Sequence, residues 1–167
     1  MSDPAATLTL VGFFEGKDQS TIVPHLFEKW ARHMQTDSRG RIAIIDDDSV
    51  FIDLMRDLLV DGEGYEVLST PNWLHCLEFV KETRPDLIIL DLMLGQHQTG
   101  WGVLALLRED PLLARIPVIL CSAAAPALRQ CEVGNGVVVE AVAKPFDVDH
   151  FLNVIERLLT QTRATAV

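Results

Sequence analysis

Three carboxylates, a hydroxyl and an ammonium stand where hydrophobic runs of strand length stop. Asp46 and Asp47, with Asp48 behind them, follow Ile42-Ala43-Ile44-Ile45, and Asp91 closes Leu87-Ile88-Ile89-Leu90. Ser122 closes Val118-Ile119-Leu120-Cys121, and Lys144-Pro145 follows Val137-Val138-Val139-Glu140-Ala141-Val142-Ala143. In an open parallel sheet the carboxyl ends of the strands lie along one edge, where ligands bind. Such a set can hold a divalent cation and a phosphoryl group. Asp91 is the candidate nucleophile, because a carboxylate attacking phosphorus gives an acyl phosphate that can bias a conformational equilibrium.

Attack by an anion on a phosphate dianion requires charge neutralisation. Magnesium prefers a few carboxylates and retained waters. Asp46, Asp47 and Asp91 supply that half-cage, and the backbone carbonyl of Met93 could complete it. Lys144 would give a fixed cation to one phosphoryl oxygen and Ser122 a hydroxyl to another. Lys144-Pro145 is a candidate cis peptide. Taken singly, each piece has a plainer explanation: aspartates before a helix are ordinarily caps, and an Asp or Ser after a strand is ordinarily a turn former. The conjunction at successive strand ends favours the chemical reading.

The elements that must position these groups alternate from Arg41 onward. Strands are predicted over 41–46, 65–69, 86–91, 117–121 and 138–143, several of them continuous apolar runs suited to a sheet covered on both faces. Helical spacing follows in Phe51, Leu54, Met55, Leu58 and Leu59. It recurs in Trp73, Leu77, Phe79 and Val80, and in Val103, Leu104, Leu106 and Leu107. A weaker helix is predicted over 124–132, and a last one carries Phe151, Val154, Ile155 and Leu158 after Asp147 and Asp149. Gly62, Gly64, Pro85 and Pro117 punctuate the boundaries. Repeated strand–helix units imply right-handed crossovers and an α/β flavodoxin-like three-layer sandwich, a five-stranded parallel sheet of order 2-1-3-4-5 with five helices.

Residues 1–39 break this rhythm. Ser20 or Thr21 could cap a helix over about 21–35 with Ile22, Val23, Leu26, Phe27, Trp30 and Met34 on one face; the alternative is a loosely packed extension. The formal net charge of −10 disfavours nucleic acid and anionic membrane surfaces as partners. No apolar run is long enough for membrane insertion. Cys76, Cys121 and Cys131 form neither a paired framework nor a metal knuckle, so buried thiols in a reducing cytoplasm are expected.

Over residues 40–161 the chain resembles the receiver domain of two-component response regulators. The resemblance rests on Ile44-Ile45-Asp46-Asp47-Asp48, Leu87-Ile88-Ile89-Leu90-Asp91, Ile119-Leu120-Cys121-Ser122-Ala123 and Ala143-Lys144-Pro145-Phe146. It implies phosphorylation of Asp91 by a histidine kinase or histidine phosphotransfer protein. It implies Mg²⁺, with Mn²⁺ as a substitute, at Asp46, Asp47 and Asp91, and phosphate sensing by Ser122 and Lys144. Signalling then runs through an unidentified downstream protein, by phosphorylation-dependent binding or phosphorelay. Apart from self-catalysed phosphorylation and dephosphorylation, the protein is not expected to be an enzyme. The chain ending soon after the last helix, with 162–167 as a tail, reads as a stand-alone receiver.

Two departures stand out. The Met-Pro pair usual after the acceptor is missing from the longer stretch Met93-Leu94-Gly95-Gln96-His97-Gln98-Thr99-Gly100, where His97 could approach the phosphate. The aromatic switch residue three positions before the lysine is Ala141, so no ring can rotate into space left by Ser122. A receiver-like interaction module that no longer switches is therefore the rival reading. A haloacid-dehalogenase-like phosphatase is disfavoured, because Met93 stands where its general acid would be.

Overall fold

The computed structural model describes residues 39–95, 100–123 and 139–165. The helix expected over 21–35, the one over 124–132, His97 and Cys131 lie outside the described residues. In chain order the elements are β1 (Arg41–Ile45), α1 (Ser49–Arg56), β2 (Glu66–Thr70), α2 (Cys76–Thr83), β3 (Leu87–Asp91) and α3 (Gly100–Glu109). They are followed by β4 (Val118–Ser122), β5 (Val139–Ala143) and α4 (Val148–Thr165). All strand pairs are parallel, and the order is β2-β1-β3-β4-β5, as expected from the alternating pattern.

The continuous apolar runs are explained by the two cores that the sheet separates. Ile42, Ile44, Leu87, Ile89, Ile119 and Cys121 point to one face, against Phe51, Met55 and Leu59 of α1 with its extension and Phe151, Ile155 and Leu158 of α4. Ala43, Ile45, Ile88, Leu90, Val118 and Leu120 point to the other, against Cys76 and Val80 of α2 and Val103, Leu104 and Leu107 of α3. With period-2 alternation and cover on both sides, every position of β3 and β4 is buried. A polar residue ending such a strand is placed at the rim with little freedom.

Two details differ from the sequence expectation. Leu54 and Leu106 are exposed, although their spacing put them on the apolar faces. In α1 the buried set includes Ile52 rather than Leu54, and in α3 it keeps Val103, Leu104 and Leu107 without Leu106. The first helix also continues beyond Arg56 as a wider turn, Asp57–Gly62, before Gly64 at φ +77° breaks it. The caps behave as expected: Asp48 Oδ1 accepts from the backbone N–H groups of Val50 and Phe51, and Asp147 Oδ1 from that of His150.

Candidate functional site

β1 and β3 are adjacent, so their carboxyl ends bring Asp46, Asp47 and Asp91 together. One carboxylate oxygen from each lies within 4.8 Å of the others. Asp46 is fully buried, Asp91 is 8% exposed and Asp47 faces solvent. Asp46 sits between two donors, the backbone N–H of Asp48 at 2.9 Å from Oδ1 and Lys144 Nζ at 2.7 Å from Oδ2. Asp47 Oδ2 accepts from the backbone N–H of Gly95 at 3.0 Å, which ties the loop after β3 to the end of β1.

Asp91 is covered only in part. Its Oδ1 is buried and has no hydrogen-bond partner. Burial raises its carboxyl above the usual carboxylate range, and the nearby Asp46 and Asp47 add to the rise. The Lys144 ammonium and the backbone N–H of Met93 oppose it. A buried polar atom left unpaired costs free energy, so an unpartnered one between two further carboxylates marks a place where a cation and a new bond would be favourable.

Ser122 is fully buried at the end of β4, and its backbone carbonyl accepts from Lys144 N–H at 2.9 Å, so the residues expected to sense phosphate are joined through the main chain. The Lys144–Pro145 peptide is cis, as expected. Ala141 of β5 pairs in register with Leu120 of β4 and is exposed. Cys121 beside Asp91 is a free thiol raised by burial to about 12, so it stays protonated as apolar filler.

Two residues at the site escaped the sequence reading. Gly100 opens α3 so close to β3 that a Cβ there would lie 2.1 Å from the Asp91 carbonyl oxygen, and its N–H donates to Leu92 O at 2.7 Å. A glycine, a poor helix former, at the start of an apolar helical stretch was the available signal. Phe51, read only as core, places its ring under the Lys144 ammonium at 3.7 Å. No sequence pattern signals that contact.

The response regulator receiver domain model matches residues 42–156. The chain belongs to that family. It is similar to the polar-differentiation response regulator DivK of Brucella anthropi, 33% identical over 118 residues that make up 71% of this chain and 94% of the relative. The Brucella ovis DivK is 31% identical over the same shares. Among solved structures, the signal receiver domain of a histidine kinase from Syntrophus aciditrophicus matches with a TM-score of 0.62 at 28% identity, covering 73% of this chain and 91% of that one. A sensor protein from Polaromonas matches with a TM-score of 0.65 at 22% identity, covering 74% and 98%. The protein is thus a receiver domain of two-component signalling, related to DivK. No helix among the described residues is long and apolar enough to cross a membrane.

Proposed function

We propose that this receiver takes a phosphoryl group on Asp91 from a phosphohistidine of a histidine kinase or phosphotransfer protein, and signals by phosphorylation-dependent binding or onward relay. The N–P bond of the donor breaks as an Asp91 Oδ–P bond forms, and the imidazole leaves with the electron pair. The observation that carries this reading is the buried, unpartnered Oδ1 of Asp91 inside a triad of carboxylates, with one ammonium at its edge.

The donor set, three carboxylates on a half-open rim, suits a hard divalent cation. Asp46, Asp47 and Asp91 would hold Mg²⁺, or Mn²⁺ in its place, with the Met93 carbonyl as a further oxygen ligand. Bound there, the cation supplies the positive charge that lets an anionic nucleophile meet an anionic phosphate. Lys144 would donate to one phosphoryl oxygen and the Ser122 hydroxyl to another, and water attack on the acyl phosphate would return Asp91 to its free form. The buried free thiols Cys76 and Cys121 support a cytoplasmic, reducing setting. The domain would span residues 40–161, with 1–39 outside it and α4 running on to Thr165.

The rival reading, an interaction module that no longer switches, is favoured by Ala141, which offers no ring to the space beside Ser122. Mass spectrometry after incubation with Mg²⁺ and acetyl phosphate separates the two. The proposal expects one added phosphoryl group on the protein and none on Asp91→Asn. An unmodified protein, or equal modification of the variant, would leave the non-switching module standing.

A further inference from the structure

The Lys144 ammonium is held from two sides. Its Nζ lies 2.7 Å from Asp46 Oδ2 and 3.7 Å from the centroid of the Phe51 ring, well inside the range in which a cation is attracted by an aromatic face. Among the described residues, Asp46 is the one carboxylate within 4.0 Å of that ammonium, so the cation sits beside Asp91 rather than on it.

The ring itself has little freedom. Phe51 lies in the first turn of α1, where its N–H is fixed by the Asp48 cap at 3.2 Å. The Phe51 and Phe146 rings meet edge to face, with centroids 6.2 Å apart at 84°. Phe146 in turn stacks on Phe151 of α4, with centroids 4.3 Å apart and 14° between planes. Phe151 is fully buried. A leucine would bury a similar apolar surface at position 51 but would offer no quadrupole to a cation.

We infer that Phe51 is a positioning residue for Lys144, its ring face fixing the ammonium at the edge of the Asp91 site before any phosphoryl group arrives. Lysine has a long, flexible stem, and ordering it at the moment of binding costs conformational entropy. An ammonium already seated between Asp46 and Phe51 escapes much of that cost. The inference rests on the proposed role of Lys144 as the cationic partner of the phosphoryl group.

Two measurements test it, and they fail separately from that reading. In metal-free protein, NMR of the Lys144 ε-methylene protons is expected to show an upfield ring-current shift that is lost in Phe51→Leu. A shift identical in both proteins would overturn the ring contact, whatever the chemistry at Asp91. The second measurement replaces Phe51 with mono-, di- and trifluorinated phenylalanine, which weakens the quadrupole with little change of shape. Affinity for beryllofluoride with Mg²⁺ is expected to fall stepwise, by about three- to tenfold across the series, while the melting midpoint falls by a few degrees at most. A flat affinity would overturn the positioning role. If the unaltered protein binds no beryllofluoride, the reading of Asp91 fails and takes the positioning role with it, while the ring contact is still judged by the first measurement.

Discussion

The two edges of the sheet treat their polar groups in opposite ways. At the amino edge, where β1 begins, Arg39 and Arg41 each have an opposite number. Arg41 donates to Glu66 and to the Thr83 carbonyl, while its own backbone N–H goes to Asp86. Arg39 pairs with Glu63 and Glu156 and lies over the Tyr65 ring. At the carboxyl edge, Asp46, Asp47 and Asp91 crowd together, with Lys144 as the cation paired to the cluster. Both edges belong to the same sheet and are fed by the same strands, so strand formation does not require the crowding. An edge selected only for stability would resemble the amino end. The excess negative charge at the other end is what a site for a cation and a phosphoryl group needs.

The largest break in that contrast should come from Lys144→Met. Asp46 is fully buried, and removing the ammonium leaves its carboxylate facing two others. The expected loss is about 3 kcal/mol, a fall in the melting midpoint of roughly 6–12 °C in metal-free buffer. If the triad holds Mg²⁺, millimolar Mg²⁺ should recover part of that loss, because a ligand bound only by the folded state stabilises it. A variant as stable as the parent would mean that the crowding carries no cost.

Next in size is Gly100→Ala. The added methyl would meet the Asp91 carbonyl oxygen at 2.1 Å, a backbone atom that cannot step aside alone. The expected destabilisation is about 2 kcal/mol, with slower phosphorylation as Asp91 is displaced. Calorimetry alongside the acetyl phosphate reaction checks both, and an undisturbed rate would detach Gly100 from the site.

These two variants also divide what was legible in the sequence from what was not. The strands could be read because burial on both faces forces unbroken Val, Ile and Leu, as in Leu87-Ile88-Ile89-Leu90. The site could be read because each of Asp46, Asp91, Ser122 and Lys144 terminates such a run, and parallel strands share an edge. Gly100 and Phe51 were opaque because their importance lies in a close approach between elements, α3 on β3 and α1 on the residue after β5. Spacing along one helix cannot report what another element brings to its side. The same limit hid the exposure of Leu54 and Leu106, whose neighbours within the helix were read correctly.

A smaller effect is expected at the paired edge. Arg41→Ala removes one exposed ion pair and one half-buried hydrogen bond to Thr83 O, together worth about 1 kcal/mol. Phosphorylation should be untouched, since Arg41 lies at the opposite end of β1. A slowed reaction in this variant would show that the two edges are not independent.

The smallest expected change has the opposite sign. Burial first, then Asp46 and Asp47, raise the Asp91 carboxyl in the folded protein, so its ionised form opposes folding. The folded state then binds more protons than the unfolded one across the window from the ordinary value of 3.8 up to the raised one. Within that window this group's contribution to stability falls as pH rises. Asp91→Asn removes the charge, so at neutral pH and without metal the variant should melt higher than the parent by a few degrees at most, since about 1 kcal/mol moves the midpoint by about 2–4 °C at this size. Because acid unfolding of other groups affects both proteins alike, the difference between them is the quantity to follow. It should be constant above the raised value and shrink as pH falls toward 3.8. Mg²⁺ should reverse its sign, because the parent keeps the third carboxylate of the triad and the variant does not. A variant less stable than the parent in metal-free buffer would mean that Asp91 is already satisfied, and the contrast between the two edges would lose its basis.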